Sequence, residues 1–142
     1  GDINMEFDNI FTTINFIIGS ILSFIVTALG GQDKLLEFLF IVMITEFFTT
    51  LYLSFKKKKD ITQKQRFDSI LQKVGMLWIV VLGVMLDDIF GISEQNLNTR
   101  TMLISFFIGH EGLTIYDNYA IMGIGLPKSL KRMFETMQER GE

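Results

Sequence analysis

The chain has 142 residues, a formal net charge of −3, one histidine and no cysteine. The acidic balance argues against nucleic acid as a partner, the lack of cysteine excludes disulfides and thiol catalysis, and a single histidine rules out histidine-rich metal sites. Hydrophobic residues make up 49 % of the chain, a share that soluble domains also reach, so the arrangement of these residues has to decide the class.

The apolar residues lie in three or four blocks of about the length of a membrane span, at about 10–29, 35–55, 74–91 and 100–122. A helix needs about 20 mainly apolar residues to cross a bilayer. The blocks predict an all-α, polytopic integral membrane protein with four transmembrane helices in one membrane domain, residues 5–142. Three spans are the alternative. Met5 is expected to be the natural start and residues 1–4 a cloning remnant, because acidic Glu6 and Asp8 follow instead of the basic start of a signal peptide.

The first block contains no charged residue, and its small and polar residues recur at every fourth position. Asn15, Gly19, Ser23 and Thr27 therefore share one helix face. Small residues at this spacing let membrane helices approach closely, which predicts a helix–helix seam. A water-facing pore stripe is the alternative. Gly30 and Gly31 follow and predict a tight turn.

The second and fourth blocks each carry a glutamate near the middle. Glu46 lies eleven residues after Leu35, and Glu111 lies eleven residues after Arg100. In a four-span topology both blocks run in the same direction, so a rise of about 1.5 Å per residue places the two carboxyls at similar depth. They would share a proton or face a common watery interior; alternatively, each is hydrogen-bonded within one protomer to Thr, Asn or His110.

The fourth block combines a face of small residues with a polar face, which suits a packed, oligomeric bundle. The sequence therefore predicts that copies associate through the small faces of the first and fourth blocks. The candidates for pore lining or helix packing in the second and fourth blocks are Glu46, Thr50, Ser105, Gly109, His110, Glu111, Gly112, Thr114 and Asn118.

Seven cations cluster within residues 56–73, which predicts by the positive-inside rule that this loop is cytoplasmic. Four spans then place the C-terminus in the cytoplasm as well. The tail, 127–140, has apolar residues at helical spacing and is predicted to be amphipathic, either packed on the bundle or lying in the inner headgroup layer. The residues interpreted as topology signals and headgroup anchors are Lys56, Lys57, Lys58, Lys59, Lys73, Lys131 and Arg132; specific recognition of anionic lipid is the alternative for the lysine run.

Catalytic motifs are missing from the sequence. His110-Glu111 is half of the zinc-protease motif His-Glu-x-x-His, but position 114 is threonine. There is also no Gly-x-Ser-x-Gly and no phosphate-binding loop of the Walker type. We therefore predict no catalytic, cofactor-binding or metal site, and a protein that is not an enzyme.

One segment resembles a known family. Residues 109–115 read Gly-His-Glu-Gly-Leu-Thr-Ile, followed by Asp117-Asn118 and by Gly-x-Gly-x-Pro at 123–127. This closely resembles the end of the toxin-secretion/phage-lysis holins, where Asn-Glu-Gly-Leu-Ser-Ile, Glu-Asn and Gly-x-Pro-x-Pro are expected. The likeness covers about 30–137 and starts with Gly-Gly-x-Asp at 30–33. The chain departs from the family pattern at Thr50, where a glycine is expected.

The resemblance implies a multi-pass holin of the bacterial cytoplasmic membrane. Such a protein assembles with copies of itself into a pore that releases a phage endolysin, which lyses the host, or a large toxin. Its partners would be other copies, membrane lipid and that cargo, with no cofactor. The competing interpretation is a non-lytic membrane-assembly or transport subunit that uses the same small faces.

Overall fold

The computed structural model describes residues 1–140, and every element in that range is an α-helix, with no strand among those residues. The helices are α1 (Asp2–Ala28), α2 (Lys34–Phe55), α3 (Gln63–Phe90), α4 (Thr99–Ile121) and α5 (Lys128–Arg140). The predicted all-α class is confirmed for this part of the chain. By length and composition, α1, α2 and α3 are able to cross a membrane.

The chain divides into two compact units, Gly1–Gln32 and Asp33–Glu142. The first unit consists of α1 and the turn after it. In that turn Gly30 and Gly31 have φ values of 93° and 90°, a backbone conformation that glycine adopts without steric cost. The paired glycines therefore form the tight turn that the sequence predicts.

Short-range signals set the helix ends in the second unit. The Asp33 side chain accepts a hydrogen bond from the backbone N–H of Leu36 at 2.9 Å and so caps α2. Thr62 and Gln65 form a reciprocal capping box that starts α3 eleven residues before the predicted third block, at 74. Hydropathy marks only the apolar part of this helix, whereas the cap marks its beginning. Most of the predicted 56–73 loop is consequently helical.

Helix α4 is the central element of the second unit, and it packs against α2, α3 and α5. Its buried apolar residues include Ile104, Ile108 and Ile115. Around them lie the remaining core residues: Leu36, Leu39, Val42, Met43 and Leu53 of α2, Val80 of α3 and Phe134 of α5. Because neighbouring helices cover α4 on several sides, its polar residues are buried as well as its apolar ones.

Helix α5 packs directly on the small face of α4. A Cβ atom on Gly109 would lie 2.5 Å from the Phe134 carbonyl oxygen and 2.6 Å from the Gln138 nitrogen, and one on Gly112 would lie 2.4 Å from the Phe134 ring. The tail of the same chain therefore covers Gly109 and Gly112, the part of the face through which the sequence predicts association of copies. Of the two arrangements expected for the tail, the structure has the packed one.

Candidate functional site

Polar side chains connect α2, α3 and α4 through the interior of the second unit. We call this set the interhelical polar network. Its members are Glu46, Thr49 and Thr50 of α2, Lys59 of the following connection, Lys73 of α3, and Glu111 and Asn118 of α4.

Lys73 lies between the two glutamates. Its ammonium group hydrogen-bonds the Glu46 carboxylate and lies 3.5 Å from Oε1 of Glu111. The side chains of Lys73, Glu46 and Glu111 are only 15 %, 10 % and 4 % exposed. The structure thus brings together the two carboxyls that the sequence places at similar depth. One cation faces two carboxylates, so the cluster carries a net charge of −1 when both are ionised.

The headgroup-anchor role predicted for Lys73 is wrong, because the residue points into the bundle. Lys73, Val80 and Asp87 are spaced at i, i+7 and i+14 on α3, so they share one face of the helix. Val80 and Asp87 are buried, at 0 % and 2 % exposure. This spacing was the signal that could have identified Lys73 as an interior residue, once the helix is known to begin at Gln63.

Asn118 joins the other half of the network. Its side chain is fully buried, and its Nδ2 donates to the hydroxyls of Thr49 at 2.9 Å and Thr50 at 3.0 Å. Its Oδ1 accepts a hydrogen bond from Nζ of Lys59 at 2.6 Å. Thr50 in turn donates to Oε1 of Glu46 at 3.0 Å. These bonds use both amide donors of Asn118, and they link it to the carboxylate pair. Thr49 was missed by the sequence analysis.

A second polar cluster, the end clamp, holds the opposite end of the bundle. Arg100 donates from Nη1 to Oδ2 of Asp33 at 2.7 Å and from Nη2 to Oδ1 at 3.3 Å. Asp87 accepts the backbone N–H groups of Thr99 and Arg100, both at 2.9 Å. The hydrogen bonds from Arg100 hold the pKa of the Asp33 carboxyl below its usual value. The end clamp thereby ties the starts of α2 and α4 to the end of α3.

Together, the end clamp and the network fix α2 and α4 as parallel neighbours. Asp33 meets Arg100 at one end, and Thr49 meets Asn118 near the other. From the sequence, Arg100 is expected only to start the fourth block, and the end clamp is not predicted. A bidentate arginine–carboxylate pair has no short-range sequence signature, because its partners here lie 67 residues apart.

The structure does not bring the other predicted residues into the network. The α1 face is exposed along its length, and it belongs to the separate first unit. Ser105 is buried on α4, His110 is exposed, and Thr114 donates to the His110 carbonyl at 3.3 Å. The predicted anchors Lys56, Lys57, Lys58, Lys131 and Arg132 are exposed, while Lys59 is half-buried and engaged with Asn118.

The network is suited to holding α2, α3 and α4 in register. Buried polar groups that satisfy one another specify a particular packing, since an unpaired one is costly. Across the described residues, no group of three or more His, Asp or Glu side chains is placed to hold a metal ion.

Comparison with known proteins identifies the family of the chain. A family model described as the bacteriophage holin family matches residues 23–139. The chain belongs to the bacteriophage holin family. The match includes all of α2, α3 and α4 and all of α5 except Arg140. It confirms the resemblance that the motifs at 30–33 and 109–127 indicated. In general this family is non-enzymatic. Together with three helices of membrane-spanning length, membership indicates a multi-pass membrane protein.

Curated relatives of this chain are similar to it over most of their length. The protein Lmo0128 of Listeria monocytogenes is 26 % identical over 104 residues, which cover 73 % of this chain and 71 % of the relative. YqxH of Bacillus subtilis is 27 % identical over 114 residues, covering 80 % and 79 %. A 14.9 kDa protein of Clostridium perfringens is 26 % identical over 84 residues, covering 59 % and 62 %. All three carry names that describe them as uncharacterized, and no solved structure matches the chain.

Proposed function

We propose that this protein forms pores by self-association in the bacterial cytoplasmic membrane and thereby releases a phage endolysin or a large toxin. The observation that carries the proposal is the holin-family match across residues 23–139. The helix lengths support it, because α1, α2 and α3 each suit a membrane span. The protein acts without catalysis, as holins do in general.

The proposed topology has four spans, with α4 as the fourth. Helix α4 has 23 residues, about 34 Å at 1.5 Å per residue, which exceeds the ~30 Å of bilayer hydrocarbon. Two of its charged residues, Arg100 and Glu111, are paired within the second unit, so α4 need not present them to lipid. The third, Asp117, is exposed in the last turns of the helix, near the proposed cytoplasmic interface. The basic connection between α2 and α3 lies in the cytoplasm, and with four spans so does the connection between α4 and α5.

Single cysteines at positions 58 and 96 test the topology in a chain that has no native cysteine. An impermeant thiol reagent added outside intact cells should label position 96, which lies in the connection between α3 and α4, and should leave position 58 unlabelled. External labelling of position 58 would contradict the cytoplasmic assignment of the basic connection.

Liposomes test pore formation directly. Vesicles loaded with a small dye and with a folded protein of endolysin size should release both when the purified protein is incorporated. Induced expression in bacteria should likewise cause abrupt lysis when an endolysin is co-expressed. Vesicles that retain both solutes at protein densities sufficient for oligomers would contradict the proposal.

A non-lytic membrane-assembly or transport subunit is the second candidate function. One observation favours it: the charges of the interhelical polar network are paired within a single chain, so they need neither bulk water nor another copy. Such a subunit would form oligomers of defined size and release neither dye nor protein from the same vesicles.

A further inference from the structure

The position of α5 along α4 is marked by three contacts. Nζ of Lys131 lies 5.8 Å from the centre of the Tyr116 ring, which places the start of α5 near the end of α4. Further along, Phe134 packs on Gly112 and Gln138 lies against Gly109. Helix α5 therefore runs back along α4, from its end to about its middle.

The depth of this contact follows from the neighbours of α4. The end clamp sets the start of α4 level with the start of α2, through Arg100 and Asp33. Gly109 lies ten residues after Thr99, which is about 15 Å along the helix axis. In the proposed four-span topology, the middle of α4 is the middle of the membrane, so α5 occupies the cytoplasmic half of the membrane's thickness.

The outer surface of α5 is strongly polar. Phe134 is the only buried residue among the described residues of this helix. The exposed residues of α5 are Lys128, Ser129, Lys131, Arg132, Met133, Thr136, Glu139 and Arg140. Lys131 turns towards Tyr116 of α4, and Met133 is the one large apolar side chain among these exposed residues. Charged side chains are costly in contact with hydrocarbon, and those found at membrane depth face the bundle interior or a water-filled cavity. A lipid-facing position of this surface is therefore excluded at the depth that the contacts give.

We propose that α5 lines the aqueous lumen of the oligomeric pore, with Phe134 packed on α4 and the charged face turned to water. The inference rests on the proposed pore-forming function and deepens it, because it names the element that the passing solutes meet. The rival arrangement has α5 released from α4 and lying flat in the inner headgroup layer, which would leave the glycine face of α4 open.

The two arrangements differ in what modification of α5 does to conduction. Thr136→Cys and Glu139→Cys place single thiols on the exposed face, and Ile79→Cys on the apolar surface of α3 is the control. Planar bilayers containing each variant are treated with impermeant thiol reagents that attach a positive or a negative group.

We expect that the two reagents shift the cation-to-anion preference of Thr136→Cys and Glu139→Cys pores in opposite directions, at least twofold each. A bulky reagent should lower the conductance of these pores, while Ile79→Cys pores should stay unchanged. If the conductance and selectivity of both α5 cysteine variants stay unchanged after treatment, whether or not the thiols are labelled, the assignment of α5 to the lumen is wrong. That result would not contradict pore formation itself. Absence of conductance from the unsubstituted protein would overturn the proposed function, and the lumen assignment with it.

Discussion

The packing of α5 on α4 makes Gly109→Ala a sensitive substitution. The new Cβ would lie 2.5 Å from the Phe134 oxygen and 2.6 Å from the Gln138 nitrogen, whereas ordinary contacts begin at 3.4 Å. The α5 backbone therefore has to move by about 0.9 Å, the difference between 3.4 Å and 2.5 Å. Both neighbouring atoms belong to the backbone, so a change of side-chain rotamer cannot relieve the contact.

The expected cost is that of overpacking. Adding a methyl group to a well-packed contact costs about 1–3 kcal/mol. The preference of a helix for alanine over glycine does not offset this cost, because α4 is helical whether α5 is attached or detached. The cost corresponds to a roughly 5- to 150-fold larger population of chains with α5 detached.

Limited proteolysis measures that population, because cleavage of a transiently opened segment follows the equilibrium fraction that is open. Trypsin has four sites in α5, at its lysine and arginine residues. Gly109→Ala should speed cleavage there by about the same 5- to 150-fold. Gly75→Ala is the matched control, since it makes the same change in α3 where nothing lies within 4 Å. Equal cleavage rates in the two variants would refute the close packing of α5 on α4.

Three further predictions concern the polar clusters. Lys73→Met should lower the free energy of unfolding in detergent by about 3–5 kcal/mol, because two buried carboxylates lose their cation, whereas the exposed Lys64→Met should change it little; equal stability of the two variants would contradict the ion-pair assignment. Asn118→Leu should lower the free energy of unfolding by about 1–3 kcal/mol in the same measurement, because the hydroxyls of Thr49 and Thr50 and the Lys59 ammonium lose their hydrogen-bond partner. An unchanged free energy of unfolding would contradict the hydrogen bonds assigned to Asn118. The folded-state pKa of Asp33 lies below its usual value of 3.8, so the stability it contributes is present above that pH and is lost as the pH falls through the folded pKa. Asp33→Asn should therefore flatten the loss of stability below about pH 4, and an unchanged acid limb would show that Arg100 does not act through this carboxyl.

The sequence predicted the helix class and the extents of α2 and α4 well, because hydropathy blocks and capping residues coincide there. It placed the beginning of α3 too late, since the first turns from Gln63 onward are polar and look like a loop to any hydropathy argument. Because the predicted helix began at 74, Lys73 was placed in a loop and its interior position was not predicted. Once α3 is known to include Lys73, the residue lies on the same helix face as the buried Val80 and Asp87.

The small face of α4 shows a second limit of sequence reasoning. Glycines at 109 and 112 indicate that something approaches closely, and this prediction was correct. The glycines do not identify the neighbouring helix, because the tail of the same chain and a helix of a second copy can both pack closely on a glycine face. Only the position of Phe134 distinguishes the two.

The distribution of paired and unpaired charge decides which surface of the bundle is the better lumen. A lumen through the interhelical polar network would require separation of Lys73 from Glu46 and Glu111, at about 3–5 kcal/mol for a broken buried pair, in every copy of the oligomer. A lumen along α5 requires no such rupture, because the charges of α5 already lie outside the packed core. In the proposed oligomer, assembly around α5 would also remove these charges from lipid, so the same association would open the pore and relieve their unfavourable position. The network would then serve as a rigid scaffold behind the proposed lumen, and its disruption should weaken the fold of each copy before it changes the selectivity of the pore.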